Sequence, residues 1–367
     1  MNPAHPRFES AVEHQRAGRL DRAVAAYQEV LCADPAHGEA LAGLCQVLQA
    51  LDRSEEAVPF LDRALGLGTE SDSQARLDAA WRCFQLGQVG EALALFQQAA
   101  FANHPEPAHA TIAVIIPGDP RSDNRAILEA RRTWAERYVH PVRPGTFQQR
   151  RRSRGSPLRL GYLSSFFQDH NWMKPVWGLI NQHDRRDFQI HLFSDAPAHQ
   201  IKYGYSQRPE DRFYDISGLS NAQAAERMEQ AGIDILVDLN GYSQARRLSL
   251  LALRPAPVVV EWFNMYATTG MSCVDFLIGD DVVIPPEEEK YYTERIVRVP
   301  GSYLTFEVGY PVPDVAVPPC SFQKHFTFGC LAPLYKITEE VVAAWSRILQ
   351  GAPDSVLRLR NSELHSP

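Results

Sequence analysis

The feature that most constrains this chain is a repeat. Ala23, Tyr27, Val30 and Leu31 are followed 34 positions later by Ala57, Leu61, Ala64 and Leu65, and Ala92, Phe96 and Ala99 continue the series after one extra residue. Gly18, Asp52 and Gly87 fall at the turn between two helices in each copy, and Pro35 closes the first. A unit this short cannot bury an apolar face alone, so the copies must stack. Alanine at 23, 57 and 92 lets neighbouring helices approach closely, while Tyr27, Leu61 and Phe96 fill the space beside them.

The pattern resembles tetratricopeptide repeats, from Pro6 to Ala100. Stacked helix pairs leave a concave face that binds extended polypeptide or a partner protein. Three repeats can equally serve to brace the next domain, and the sequence leaves both uses open. Beyond them Ala110 to Pro117 is a short apolar run. Asp123 to Tyr138 reads as a helix with an aspartate start and Ile127, Leu128 and Trp134 on one face. His140 to Pro157, rich in Pro, Gly and Arg, reads as a linker. Its run Arg150, Arg151, Arg152 and Arg154 reads as a solvated segment rather than a nucleic-acid face.

From Leu158 the period changes. Leu158 to Ser164, Gln189 to Ser194, Asp234 to Asn240, Val258 to Phe263, Phe276 to Gly279 and Ile296 to Val299 are short apolar runs, with helical stretches Met173 to Gln182 and Asn221 to Ala231 between them. Apolar strands alternating with helices predict a parallel sheet buried on both faces. Ligands of such sheets gather at the carboxyl ends of the strands. The polar residues there are Ser164, Ser165, Gln168, Asp169, His170, Asn171 and Lys174 after the first run. Asn240, Gly241, Tyr242 and Ser243 follow DILVDL, and Asn264, Tyr266, Thr268, Thr269 and Gly270 follow VVVEWF. Three such loops at one edge predict a pocket.

Several function classes are disfavoured. The formal charge of -7 argues against a nucleic-acid binder, which needs a basic face. The six cysteines form no C-x-x-C pair, so neither a zinc cluster nor a disulfide framework is expected. The start MNPAHPRFES lacks the pattern of a signal peptide, and no run approaches the roughly 18 apolar residues of a membrane span, which makes a cytoplasmic protein with no membrane partner the expectation. No G-x-G-x-x-G follows the first strand and no P-loop exists. D-x-D, which could hold a divalent ion against a diphosphate, is absent too. A bound diphosphate would then be held by helix N-termini, amides and side-chain cations. Lys336 is placed for that, between FTFGCL and a helix that Thr338 can cap and Glu339 and Glu340 open. It is otherwise an ordinary surface lysine.

LRLGYLSSFFQDH, AGIDILVDLNGYSQARRLSLLALRPAPVVVEWF, YATTG, YYTERIVRVPGSY and FTFGCLAPLYKIT resemble the catalytic region of the protein O-linked N-acetylglucosamine transferases, in particular the bacterial SPINDLY-like branch. Upstream tetratricopeptide repeats are also that family's arrangement. The resemblance implies an inverting, metal-independent glycosyltransferase of the two-domain GT-B kind, with a UDP-sugar as donor, a Ser or Thr hydroxyl of a protein or peptide as acceptor, and no cofactor besides the donor. His170 falls on the family's histidine after the first strand, the candidate general base, since a neutral imidazole can accept a hydroxyl proton near neutral pH. The alternative is a loop histidine that orders Asp169. Lys336 falls on the lysine that contacts the donor diphosphate. Thr268, Thr269 and Gly270 fall on the small-residue loop lining the cleft on the donor side, and Lys174, Asn240, Gly241 and Tyr242 are assigned to the acceptor side. Phe166, and Ala332 with Pro333, depart from the family pattern.

The expected fold class is therefore α plus α/β: a short tetratricopeptide-repeat solenoid, a GT-B-type Rossmann-like parallel sheet, and the first strand-helix-strand of a second such domain. The expected boundaries are 1–109 for the repeats, 110–157 for a connecting helix and basic linker, 158–325 for the acceptor-side domain, and 326–367 for an incomplete donor-side domain. Three readings follow. One is a protein O-glycosyltransferase represented by a truncated chain, another an inactive truncated remnant that binds proteins through its repeats, and the third an enzyme acting on a lipid-linked or small-glycan acceptor.

Overall fold

The computed structural model describes residues 5–35, 37–51, 53, 56, 60, 73–85, 87–101, 105–139, 155–196, 201, 204–306, 311–323 and 325–360. They fall into two compact units, one of Met1–Pro120 with Val317–Pro367 and one of Arg121–Ala316.

The first unit opens with the helices His5–Arg16, Leu20–Ala33, Gly38–Ala50, Ser73–Gln85, Val89–Phe101 and Pro105–Ile115. Ala23, Tyr27, Val30 and Leu31, the first repeat's signature, are all buried. Tyr27 shows why the spacing matters. Its ring occupies the place a Cβ on Gly43 would take, 2.4 Å from Cζ, and its hydroxyl donates to Gln15 Oε1 at 2.5 Å. In the last copy Ala92 and Phe96 are fully buried, and Trp81 meets Phe96 edge-on at 5.8 Å. Asp52, Ala57, Leu61, Ala64 and Leu65 of the middle copy lie outside the described residues, as do residues 140–154 of the linker. The apolar run from Ala110 ends the helix Pro105–Ile115 and passes into a 3-10 turn, Ile116–Gly118.

The same unit holds β8 (Phe326–Cys330) and β9 (Ser355–Leu359), a parallel pair joined through the helix Glu339–Gly351. Thr338 caps that helix, its hydroxyl accepting the Val341 N–H at 3.5 Å. Tyr335 stacks on Phe84 of the repeats at 5.0 Å.

The second unit begins with the helix Asn124–Tyr138. The Asp123 carboxylate caps it by accepting the Ala126 N–H at 2.9 Å. Its inner face carries Ile127, Leu128, Trp134 and, unexpectedly, Arg131. Seven strands follow: β1 (Leu158–Ser164), β2 (Phe188–Ser194), β3 (Arg212–Asp215), β4 (Ile235–Asp238), β5 (Val258–Glu261), β6 (Phe276–Gly279) and β7 (Arg295–Arg298). All pairs are parallel and the order is β3-β2-β1-β4-β5-β6-β7. Leu160, Tyr162, Ile190, Leu192, Val237 and Val260 from the central strands pack with Phe167, Met173, Trp177 and Trp262 in one apolar cluster.

Two differences from the sequence reading have simple causes. Strand β3 has no apolar run because it is an edge strand, three of its four residues being exposed. The helix read from Met173 starts at His170, because the Asp169 carboxylate accepts both the Asn171 and Trp172 N–H groups and so caps the earlier turn. Among the described residues no helix is long and apolar enough to cross a membrane.

Candidate active site

The chain leaves β1 for β2 and β3 on one side, then crosses to β4 on the other, so the strand order reverses between β1 and β4. A crevice outside the carboxyl ends of the strands forms at such a switch point. The loops after β1 and β4 flank it, and a hydrogen bond ties them: the Ser165 N–H donates to Asn240 Oδ1 at 2.7 Å. On the other side of β1, Ser165 Oγ donates to Asp195 just past β2 at 3.1 Å. Asp195 is in turn held by Arg246 at 2.8 Å and by the buried Arg247, which also donates to the carbonyl of Ile216.

Each sequence-predicted residue can now be placed. His170 is the first residue of the helix capped by Asp169, and its side chain lies outside the described part of the structure. Lys174 stands half-buried one turn further along. Asn240 is fully buried; besides taking the Ser165 amide, its carbonyl accepts from Asn264 Nδ2 at 2.8 Å, which links the loops after β4 and β5. A Cβ on Gly241 would stand 2.7 Å from the Asn264 carbonyl oxygen, so the two loops touch through that glycine. Tyr242 is buried and donates its hydroxyl to the Thr269 carbonyl at 2.7 Å.

Thr268 and Thr269 are fully buried, and both hydroxyls donate to the carboxylate of Glu294, Thr268 at 2.7 Å. The Thr269 N–H donates to the same carboxylate at 2.7 Å. Gly270 packs against the backbone of the helix Asn124–Tyr138, where a Cβ would stand 2.7 Å from atoms of Arg131 and Arg132. Asn240, Tyr242, Thr268 and Thr269 thus form the frame that shapes the loops, and the exposed aromatic of this region is Tyr266, at 64%. The residues flanking it, Phe263 and Ala267, hold positive φ of 75° and 61°, conformations that persist only when the surroundings over-determine them. Lys336 belongs to the other unit, where it is exposed at the end of the 3-10 turn Leu334–Lys336, its ammonium 5.8 Å from the Tyr335 ring centroid.

The sequence reading missed the groups that do the holding. Arg131 reaches from its helix and donates to the carbonyls of Tyr266 at 2.6 Å and Thr268 at 2.7 Å, with its guanidinium 4.1 Å over the Tyr242 ring. Burial lowers its proton affinity. An arginine in an amphipathic helix carries no signal of this use. Asp238 and Glu261 carried one, as carboxylates closing the apolar runs DILVDL and VVVEW. Both are buried, and burial pushes Asp238 up to about 7 and Glu261 well above the ordinary glutamate value.

The geometry stands beside clear similarities to known proteins. Residues 137–309 match the family model described as Glycosyl transferase family 41, and residues 15–76 match a Tetratricopeptide repeat model. A probable UDP-N-acetylglucosamine–peptide N-acetylglucosaminyltransferase, SEC of Arabidopsis thaliana, is 28% identical over 236 residues, 60% of this chain and 23% of its own length. Its counterpart SPINDLY of Oryza sativa subsp. japonica is 27% identical over 235 residues, 63% of this chain and 25% of its own. The chain spans about a quarter of the length of these curated relatives. A solved structure of a Thermobaculum terrenum O-GlcNAc transferase mutant superposes with a TM-score of 0.77 at 28% identity, covering 100% of this chain and 71% of that one.

Proposed function

We propose that the protein transfers N-acetylglucosamine from a UDP-sugar to Ser or Thr hydroxyls of protein acceptors, a reading supported by the match of the domain of residues 137–309 to the Glycosyl transferase family 41 model. The observation that carries the reading is the junction of the loops after β1, β4 and β5 at the switch point of that domain's sheet, through Ser165, Asn240 and Asn264.

The reaction is an inverting displacement. The acceptor oxygen attacks the anomeric carbon as the bond to the UDP oxygen breaks, and the hydroxyl proton passes to a base. His170, at the start of its helix beside the switch point, is assigned as that base, and Lys174, Asn240, Gly241 and Tyr242 to the acceptor side. Lys336 is assigned to the charge developing on the departing diphosphate, which a cation stabilises most when the bond is broken. Thr268, Thr269 and Gly270 are assigned to the donor side, acting through the shape of their loop because Glu294 holds both hydroxyls. The reading needs no metal and no cofactor besides the donor, involves neither nucleic acid nor membrane, and places the reaction in the cytoplasm.

The test is titration of the purified chain with UDP by calorimetry, followed by transfer of labelled sugar to protein in cell extract with and without chelator. UDP binding and chelator-insensitive transfer are expected, with His170→Ala lowering turnover by about 10²–10⁴-fold while UDP still binds. Absence of UDP binding would overturn catalysis by this chain, and full activity of His170→Ala would overturn the base assignment.

A further inference from the structure

Asp238 closes β4 and Glu261 closes β5, and the two residues are paired in register on these parallel strands. Register neighbours project to the same face of a sheet, so the two carboxyl groups come together at the ends of their strands. Exposure is 1% for Asp238 and 0% for Glu261. Two carboxylates offer only acceptors to one another, so a hydrogen bond between them requires that one be the acid. Among the described residues no N–H or O–H donor reaches either Glu261 oxygen or Asp238 Oδ1. The remaining Asp238 oxygen accepts the Gly241 N–H at 2.9 Å.

The charged and titratable groups that face the pair come from three elements. Arg131 reaches in from the helix Asn124–Tyr138, Tyr242 from the loop after β4, and Glu294 from the segment before β7. Arg131 donates to the carbonyls of Tyr266 and Thr268, and Glu294 accepts from Thr268 and Thr269. At Glu261 the charges of Asp238 and Glu294 favour the acid and that of Arg131 the carboxylate, and burial, the largest cause, favours the acid.

We propose that Asp238 and Glu261 share a single proton, and that this carboxyl–carboxylate bridge is a positioning element holding the Asn240–Tyr242 turn against the loop after β5. The turn rests on the bridge from both sides. Asp238 takes the Gly241 amide, and Glu261 Oε1 lies 3.3 Å from where a Cβ on Gly241 would stand. The same turn holds Ser165 through the Asn240 side chain and Asn264 through the Asn240 carbonyl. Loss of the proton sets two like charges on neighbouring buried side chains, and the pair titrates as a unit. Its effect on turnover rests on the reading of these loops as the reaction site, whereas the proton itself does not.

Infrared difference spectra of the full chain at neutral pH against Glu261→Gln and Asp238→Asn test the proton directly. Each amide can donate to the remaining carboxylate without exchanging a proton. The wild type is expected to show a protonated-carboxyl C=O band that both variants lose. Its melting temperature is expected to fall as pH rises above the ordinary carboxyl range and the pair loses its proton, and that fall to be absent in both variants. Absence of the band in the wild type, or an unchanged alkaline fall in a folded variant, overturns the shared proton; where one variant fails to fold, the other decides. If the band and the fall behave as expected but the alkaline limb of sugar transfer is the same in wild type and Glu261→Gln, the positioning role is overturned. Absence of transfer by the wild type at every pH overturns the reading of the site and leaves the proton to the spectra.

Discussion

Gly18 and Gly270 both hold a left-handed backbone, with φ of +68° and +72°, yet they answer to different forces. Around Gly18 nothing lies within 4 Å of the Cβ that alanine would bring, so Gly18→Ala should cost only the about 1–2 kcal/mol of a left-handed L-residue. At Gly270 the added carbon would also meet helix backbone at 2.7 Å, and backbone cannot swing aside as the end of a side chain can. Gly270→Ala should therefore destabilise the protein distinctly more than Gly18→Ala, and paired urea melts of the two variants measure the difference. The glycine of the T-T-G loop has a packing reason as well as a place beside the crevice.

At the scale of elements, titratable groups set the pH range in which the α/β unit holds together. His183 follows the helix His170–Gln182 and contacts the Tyr162 hydroxyl of β1 at 2.6 Å; burial first, and the Arg185 charge second, lower its pKa to about 4. His191 in β2, stacked on Tyr214 of β3, is lowered to about 4, again chiefly by burial. A base with a depressed folded pKa stabilises the protein above its ordinary value of about 6.5 and loses that contribution as pH falls through its folded value. The histidine contribution should thus decline from neutral pH down to about 4, and His183→Gln should raise the melting temperature near pH 4 relative to its neutral value when compared with the wild type. An unchanged acid limb in a folded His183→Gln protein would place the instability elsewhere. The raised carboxyls at the ends of β4 and β5 act in the opposite sense. The contribution of Asp238 is complete below the ordinary carboxyl range and is lost as pH rises through about 7.

For the whole molecule, the compact unit Arg121–Ala316 includes the helix Asn124–Tyr138. The reason is Arg131, which supplies the carbonyls of Tyr266 and Thr268 with their donor. Leaving the buried Thr268 carbonyl unpaired costs about 1–3 kcal/mol. A fragment of residues 121–316 should accordingly melt cooperatively, and one starting at Leu158 should melt at lower temperature or lose its cooperative transition. Calorimetry of the two fragments decides it, and equal melting would mean the helix is only a connector.

The sequence by itself determined the repeat helices and nearly every strand. Both depend on periodicity: apolar residues recur with the 34-residue spacing in one half and fill short continuous runs in the other. It also pointed to the edge where the loops after β1, β4 and β5 meet, because strands alternating with helices place their polar loops at one edge. Only the tertiary structure decided what holds those loops. Arg131 is 135 positions from Tyr266, Glu294 is 25 from Thr269, and Asp238 meets Glu261 through strand register. No local pattern encodes such meetings. Buried charge is tolerated where partners converge from distant parts of the chain, and that convergence exists only once the sheet and its covering helix have packed.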